Sequence, residues 1–170
     1  GVDLMLTDTV LDLLGDRAGP LENNRLIARK LGSTGMVVVG SPAYLDAAGR
    51  PETPDDLDRH NRMSLCTARS VEHWPFAIGG RTVTLPALGR TQVNDGEGLR
   101  RLALAGAGLA RLAGFAIEAD IAAGRLVPVL EDFNPRDRMD FHAVYLGQGG
   151  PLPARVVALI DFLVEHGRPS

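Results

Sequence analysis

Cysteine is almost absent: Cys66 is the only one in 170 residues. No internal disulfide can form, which fits a reducing compartment. No apolar run approaches the ~20 residues a membrane helix needs. The longest candidate, Leu102 to Ala110, is bounded by Arg101 and Arg111. Long basic tracts are missing as well. The cations come in short groups such as Arg29-Lys30, Arg100-Arg101 and Arg136 with Arg138, and the net charge is −3. Nothing therefore draws the chain as given onto nucleic acid. It opens Gly-Val-Asp, without Met or a basic-then-apolar leader. That start reads as a fragment of a longer cytoplasmic protein, entered at a strand.

Catalytic motifs are equally scarce. There is no Gly-x-Ser-x-Gly; Gly40-Ser41-Pro42 lacks the second glycine and puts proline where a helix should start. His60, His73, His142 and His166 are isolated from one another and from Cys66, so no metal site is expected. Cys66 ends an apolar strand with no histidine nearby in sequence and reads as a buried, inert thiol. Asp137 and Asp140 lie in a proline-bounded stretch that reads as solvated loop. The sequence offers no motif for an enzyme and no cofactor.

The stretch "NDGEGLRRLALAGAGLARLAG", 94–114, contains Gly106-Ala107-Gly108. A dinucleotide cradle needs a strand, then glycines, then a helix whose first amides meet the phosphates. Here the helical pattern precedes the glycines and a strand pattern follows them. The glycines are expected to end a helix and turn into a buried strand. The Asn94-Asp95 head of that helix is different, because first-turn amides lack internal partners and carry the positive end of the helix dipole.

Hydrophobic content of 45% and charged content of 23% suit a globular chain, and 20 glycines with 11 prolines and 5% aromatics argue for many turns. Strand patterns fall at 2–6, 36–39, 62–66, 81–85, 89–93, 109–112, 126–129 and 141–146. A short helix is expected from the Thr53-Pro54-Asp55-Asp56 start to about His60. Further helices are expected over 95–106, 115–123 and 153–165, with a hairpin turn at Gly79-Gly80. Alternating strands and helices suggest a mostly parallel α/β sheet. Junctures at 40–42 and 134–137 divide the chain into 1–40 with 138–170, and an inserted 41–137.

Four stretches in order carry a family resemblance. They are "VDLML" at 2–6, "ARKLGSTGMVVVGSPAYLDAAGRPETPDDLDRHNRM" at 28–63, "VNDGEGLRRLALAGAGLARLAGFAIEADIAAGRLVPVL" at 93–130 and "HAVYLGQGGPLPARVVALIDFLVE" at 142–165. With them the whole chain resembles the effector-binding domain of LysR-type transcriptional regulators. The resemblance implies a type 2 periplasmic-binding-protein fold: two α/β lobes, the first truncated at its N-terminus, joined by crossing strands at 36–39 and before 141–146. It also implies a small-molecule effector between the lobes, a carboxylate or an aromatic.

Residue by residue, the pocket would draw on Thr7, Asp8, Cys66, Thr67, Val93, Asn94, Asp95, Gly114 and Phe115. Thr7 stands where the close subgroup usually has arginine; Arg111 and Ala113 stand where an apolar residue and a proline are common. Arginine in a buried strand is costly unless paired or turned to solvent. Arg111 is therefore expected either to face the effector site, pairing with Asp8 or an effector carboxylate, or to reach the surface at the strand end. Partners implied are a second copy or a tetramer, and DNA only through an absent N-terminal winged helix-turn-helix; no membrane is implied. A solute-binding protein of a transport system would use the same fold, and the segment upstream of Gly1 would discriminate the two.

Overall fold

The computed structural model describes residues 4–7, 25–65 and 72–147, with 154, 157, 158, 161 and 162 of a last helical stretch. The expected site residues Asp8, Cys66 and Thr67 lie outside the described residues, as does most of the expected 153–165 helix. Contacts divide the chain into one unit of Gly1–Thr34 with Arg138–Ser170 and a second of Gly35–Asp137.

In the first unit, β1 (Leu4–Thr7) lies antiparallel to β9 (Arg138–Gly147), with Leu4 opposite Tyr145 and Thr7 opposite His142. The long β2, Arg25–Gly40, neighbours β9 in the same sheet. Lys30 Nζ meets Asp140 Oδ2 at 2.7 Å, and Arg138 donates to Ser33 Oγ and to its carbonyl at 2.9 and 2.6 Å. Asp140 is thus a strand residue with an ion-pair partner, not part of a loop.

The second unit is built on the far half of β2. Met36–Val39 pairs antiparallel with β7 (Ala110–Ala113), and Val39–Gly40 with β8 (Val127–Pro128). These pairings place Gly35–Gly40 in this unit. β3 (Ser64–Leu65) runs parallel to β6 (Gln92–Val93), and Arg62 bridges Leu109 in parallel. β4 (His73–Ile78) and β5 (Arg81–Pro86) form the expected hairpin across Gly79-Gly80. The expected mostly parallel sheet is corrected: β3–β6 and the Arg62–Leu109 bridge are parallel, whereas β1–β9, β2–β7, β2–β8 and β4–β5 are all antiparallel. β2 arrives from the first unit and runs against β7 and β8.

Helix α1 (Pro42–Ala48) begins at the Gly40-Ser41-Pro42 stretch read as a juncture. Ser41 caps it, accepting from Tyr44 N–H at 3.3 Å. Pro42 fits because a first-turn residue has no helical use for an N–H. The Thr53–Asp56 capping box starts a 3-10 turn over Pro54–Arg59, as its sequence predicted. Helices α2 (Gly96–Leu104) and α3 (Gly114–Ala122) follow.

Two apolar clusters stabilise this unit. Trp74 and Phe76 of β4 pack with Leu57, Leu109 and Val129, while Leu99 and Ala103 of α2 pack with Met63, Leu112 and Ile117. The glycines between α2 and β7 serve the fold. Gly106 takes φ 79° at the helix end, and a Cβ on Gly108 would lie 2.3 Å from the Asn61 carbonyl oxygen. Only glycine allows that approach.

Candidate functional site

The parallel pair β3–β6 brings two strand ends together, Leu65 opposite Val93. In open α/β sheets ligands gather at such carboxyl ends. The chain passes from Val93 through Asn94 into α2, whose N-cap Asp95 is extended (φ −148°, ψ 156°). Asp95 Oδ1 accepts from Gly98 N–H at 2.7 Å, and its carbonyl accepts from Leu99 N–H at 3.2 Å. Capping therefore uses the third and fourth amides of the helix. The Gly96 and Glu97 amides have no hydrogen-bond acceptor among the described residues, and nothing lies within 4 Å of where a Gly96 Cβ would be. Asn94, Asp95 and Gly96 are exposed and Val93 is half-buried. The helix head thus carries two donors at exposed positions without an acceptor among the described residues, with the dipole's positive end behind them.

Beside the end of β3 stands a residue the sequence gave no reason to choose. Glu72 accepts from Leu65 N–H at 2.8 Å and from Trp74 Nε1–H at 3.2 Å. Burial pushes its carboxyl up from the ordinary carboxylate range, against the lowering pull of those two donors and of nearby Arg111. Trp74 is fully buried, so its indole N–H needs this acceptor.

Arg111 lies on β7 opposite Val38. Its guanidinium binds both oxygens of Asp137, at 2.5 and 2.6 Å, and its side chain is only 10% exposed. The expected surface reach is thereby corrected, while Asp137 keeps its place in the loop before β9, 39% exposed but with Arg111 as its partner. A partly buried guanidinium takes the nearest carboxylate, and the chain supplies one after Pro135. Asp8, the partner first considered, lies outside the described residues. The void beside Arg111 measures about 10 Å³, room for a water and not for an organic effector.

Of the remaining expected residues, Thr7 ends β1 in the first unit. Gly114 and Phe115 open α3, and Phe115 is 44% exposed. The second unit therefore holds Val93, Asn94 and Asp95 together on one turn, with Arg111, Gly114 and Phe115 on β7 and the start of α3.

Behind this surface two polar assemblies fix the elements. Asn61 donates to the Ala107 carbonyl at 2.7 Å and to Thr91 Oγ1 at 3.2 Å, and accepts from Arg90 N–H at 2.8 Å. Its own N–H donates to Tyr44 Oη at 3.0 Å, tying α1 to the strand ends. Asp120 of α3 is fully buried and accepts from Arg100 Nε of α2 at 2.6 Å. Arg125 adds bonds of 2.9 and 2.7 Å. Arg100 and then Arg125 hold the Asp120 carboxyl below its ordinary range despite burial. Among the described residues no group of histidine, cysteine and acidic side chains could hold a metal ion, and no helix is long and apolar enough to cross a membrane.

Comparison with known proteins agrees with this architecture. The LysR substrate binding domain family matches residues 3–168. The chain is 33% identical over 152 residues to the HTH-type transcriptional regulator CrgA of Neisseria meningitidis, covering 88% of this chain and 50% of that protein. It is 32% identical over 166 residues to the HTH-type transcriptional activator AaeR of Escherichia coli, covering 92% and 53%. The chain thus spans about half the length of the curated relatives it matches. The solved regulatory domain of CrgA, a LysR-type transcriptional regulator, superposes with a TM-score of 0.79 at 29% identity, covering 96% of this chain and 74% of that one. With its two α/β units and a family match over nearly all of its length, the chain belongs to the LysR substrate-binding-domain family.

Proposed function

We infer that this chain is the ligand-sensing regulatory domain of a bacterial LysR-type transcriptional regulator, and that it recognises a small carboxylate. The observation carrying the ligand class is the head of α2. There the Gly96 and Glu97 amides, at exposed positions and without an acceptor among the described residues, follow the carboxyl end of a parallel strand pair, with Asn94 beside them. A carboxylate accepts from two adjacent amides and gains from the helix dipole, and hydrogen bonds to a charged group contribute about 1.5–3 kcal/mol each. Asn94, Asp95 and Val93, with Thr7, Asp8, Cys66, Thr67, Gly114 and Phe115, are the proposed effector contacts. Arg111 contributes from behind by holding Asp137.

Catalysis is not part of this reading. The effector acts by binding two arrangements of the domain with different affinity, typically by ~1–3 kcal/mol. Relatives named as HTH-type transcriptional regulators support a full protein that reaches DNA through a separate helix-turn-helix; the reading extends to a homodimer or homotetramer in the cytoplasm with that part N-terminal. Nothing in the described residues favours the transport reading.

Calorimetric titration with benzoate, salicylate and succinate beside their amides tests the ligand class. A carboxylate that binds while its amide does not supports the reading, whereas equal binding by acid and amide removes the helix-head argument. A ligand at 100 times its Kd should add about 2.7 kcal/mol of stability.

A further inference from the structure

The Glu72 carboxylate stands where a bond between two strands would fall. Leading into β3 and β7, Met63 N–H donates to the Leu109 carbonyl and Leu109 N–H to the Asn61 carbonyl, both at 2.9 Å. A parallel ladder carried two residues further would send Leu65 N–H to the Arg111 carbonyl. That N–H goes instead to Glu72 Oε2 at 2.8 Å. The carboxylate thus takes the place of a rung at the carboxyl end of β3, where Leu65 lies opposite Val93 and the chain leads into α2.

Its surroundings suit a charged acceptor. The Glu72 carbonyl accepts from Ala87 N–H at 2.8 Å, which fixes the backbone at the base of the β4–β5 hairpin. Oε1 accepts from Trp74 Nε1–H at 3.2 Å. Protonation would remove the charge from both side-chain bonds and add an O–H facing donors. Among the described residues Arg111 of β7 acts on it electrostatically and is itself bound to Asp137. Leu65, Trp74 and Ala87 carry no charge, and His73 is exposed. Burial outweighs the donors and Arg111, so proton uptake begins above the pH of an ordinary carboxylate.

We propose that Glu72 is a positioning residue of the effector site. As a carboxylate it holds the end of β3 apart from β7 and fixed beside the head of α2; on taking up a proton it lets that end go, freeing Leu65 N–H for the Arg111 carbonyl. The consequence for effector affinity rests on the carboxylate reading above, whereas the latch itself does not.

Trp74 is the only tryptophan, fully buried and bonded to this carboxylate, so its emission reads the latch without a ligand. In the parent chain emission should titrate between pH 7 and pH 4.5 with a midpoint above the ordinary glutamate value of ~4.3, and the Leu65 amide resonance should move with the same midpoint. Glu72→Gln should abolish both titrations. The Kd of the tightest-binding carboxylate should rise about threefold as pH falls through that midpoint in the parent, as charge-assisted bonds weaken, and stay flat in the variant. No transition in the parent, separate midpoints for Trp74 and Leu65, a transition surviving Glu72→Gln, or the same pH dependence of Kd in both chains would each overturn the proposal. If the variant does not fold, the two midpoints in the parent decide. A panel without any binder would remove the carboxylate reading and leave the emission and amide titrations to decide the latch.

Discussion

Asp120→Asn is the sharpest test of what holds α2 in place. The carboxylate is fully buried, and its three bonds at 2.6, 2.9 and 2.7 Å all come from guanidinium groups. Asparagine keeps the shape but loses the charge, and its amide hydrogens face donors. Breaking a buried ion pair by removing one partner ordinarily costs about 3–5 kcal/mol. Here Arg125 is 55% exposed and Arg100 is 24% exposed with Glu97 nearby, so both cations keep some solvent or a second partner. The cost should fall to about 2–3 kcal/mol, or a Tm lowered by roughly 5–10 °C for a chain of this size.

The pH dependence supplies an independent check. Asp120 is held below its ordinary pKa, so its stabilisation is fully present above the unfolded value near ~3.9 and is lost as pH falls below it. The gap between parent and variant should therefore shrink on acidification. Calorimetric Tm measured from pH 7 to pH 3 reads both effects. A variant within 1 °C of the parent at pH 7 would refute the argument.

Three further outcomes follow from the same geometry. Gly108→Ala forces a Cβ toward the Asn61 carbonyl, which itself accepts Leu109 N–H at 2.9 Å. It should cost about 3 kcal/mol by urea unfolding, from overpacking plus a weakened hydrogen bond. Asp137→Asn should destabilise more than Arg111→Leu, since the first strands a guanidinium that is 10% exposed and the second leaves a carboxylate that is 39% exposed and can hydrate; the reverse order by chemical denaturation would contradict the pairing. Gly96→Pro should leave Tm unchanged or slightly raised, because proline suits the first helical position and Asp95 is already extended.

Sequence made some of this fold legible for local reasons. The Thr53–Asp56 capping box, the Gly79-Gly80 hairpin and the Asp95 cap each depend on residues within a few positions of one another. The glycines at 106 and 108 were readable as turn-makers because the order of helix and strand around them was wrong for a phosphate cradle. What stayed hidden is nonlocal. Pairing direction depends on β2 running against β7, a strand whose paired residues follow some seventy positions later. The partner of Arg111 lies 26 residues away, so a basic residue in an apolar strand announced a need for a carboxylate without saying which one. Glu72 carried no signal, since its role arises only when Leu65 and Trp74 converge on it. Ser41-Pro42 misled because its proline was taken as a break when it starts α1.

The central claim is that a carboxylate sits on the free amides at the head of α2. Its most direct test is a calorimetric titration of the tightest-binding carboxylate from the panel into the parent chain and into Gly96→Pro. The substitution deletes one donor and leaves the helix and its Asp95 cap in place. Loss of a hydrogen bond to a charged group, about 1.5–3 kcal/mol, predicts a Kd raised at least tenfold with Tm maintained. An unchanged Kd in a variant of unchanged stability would contradict the account.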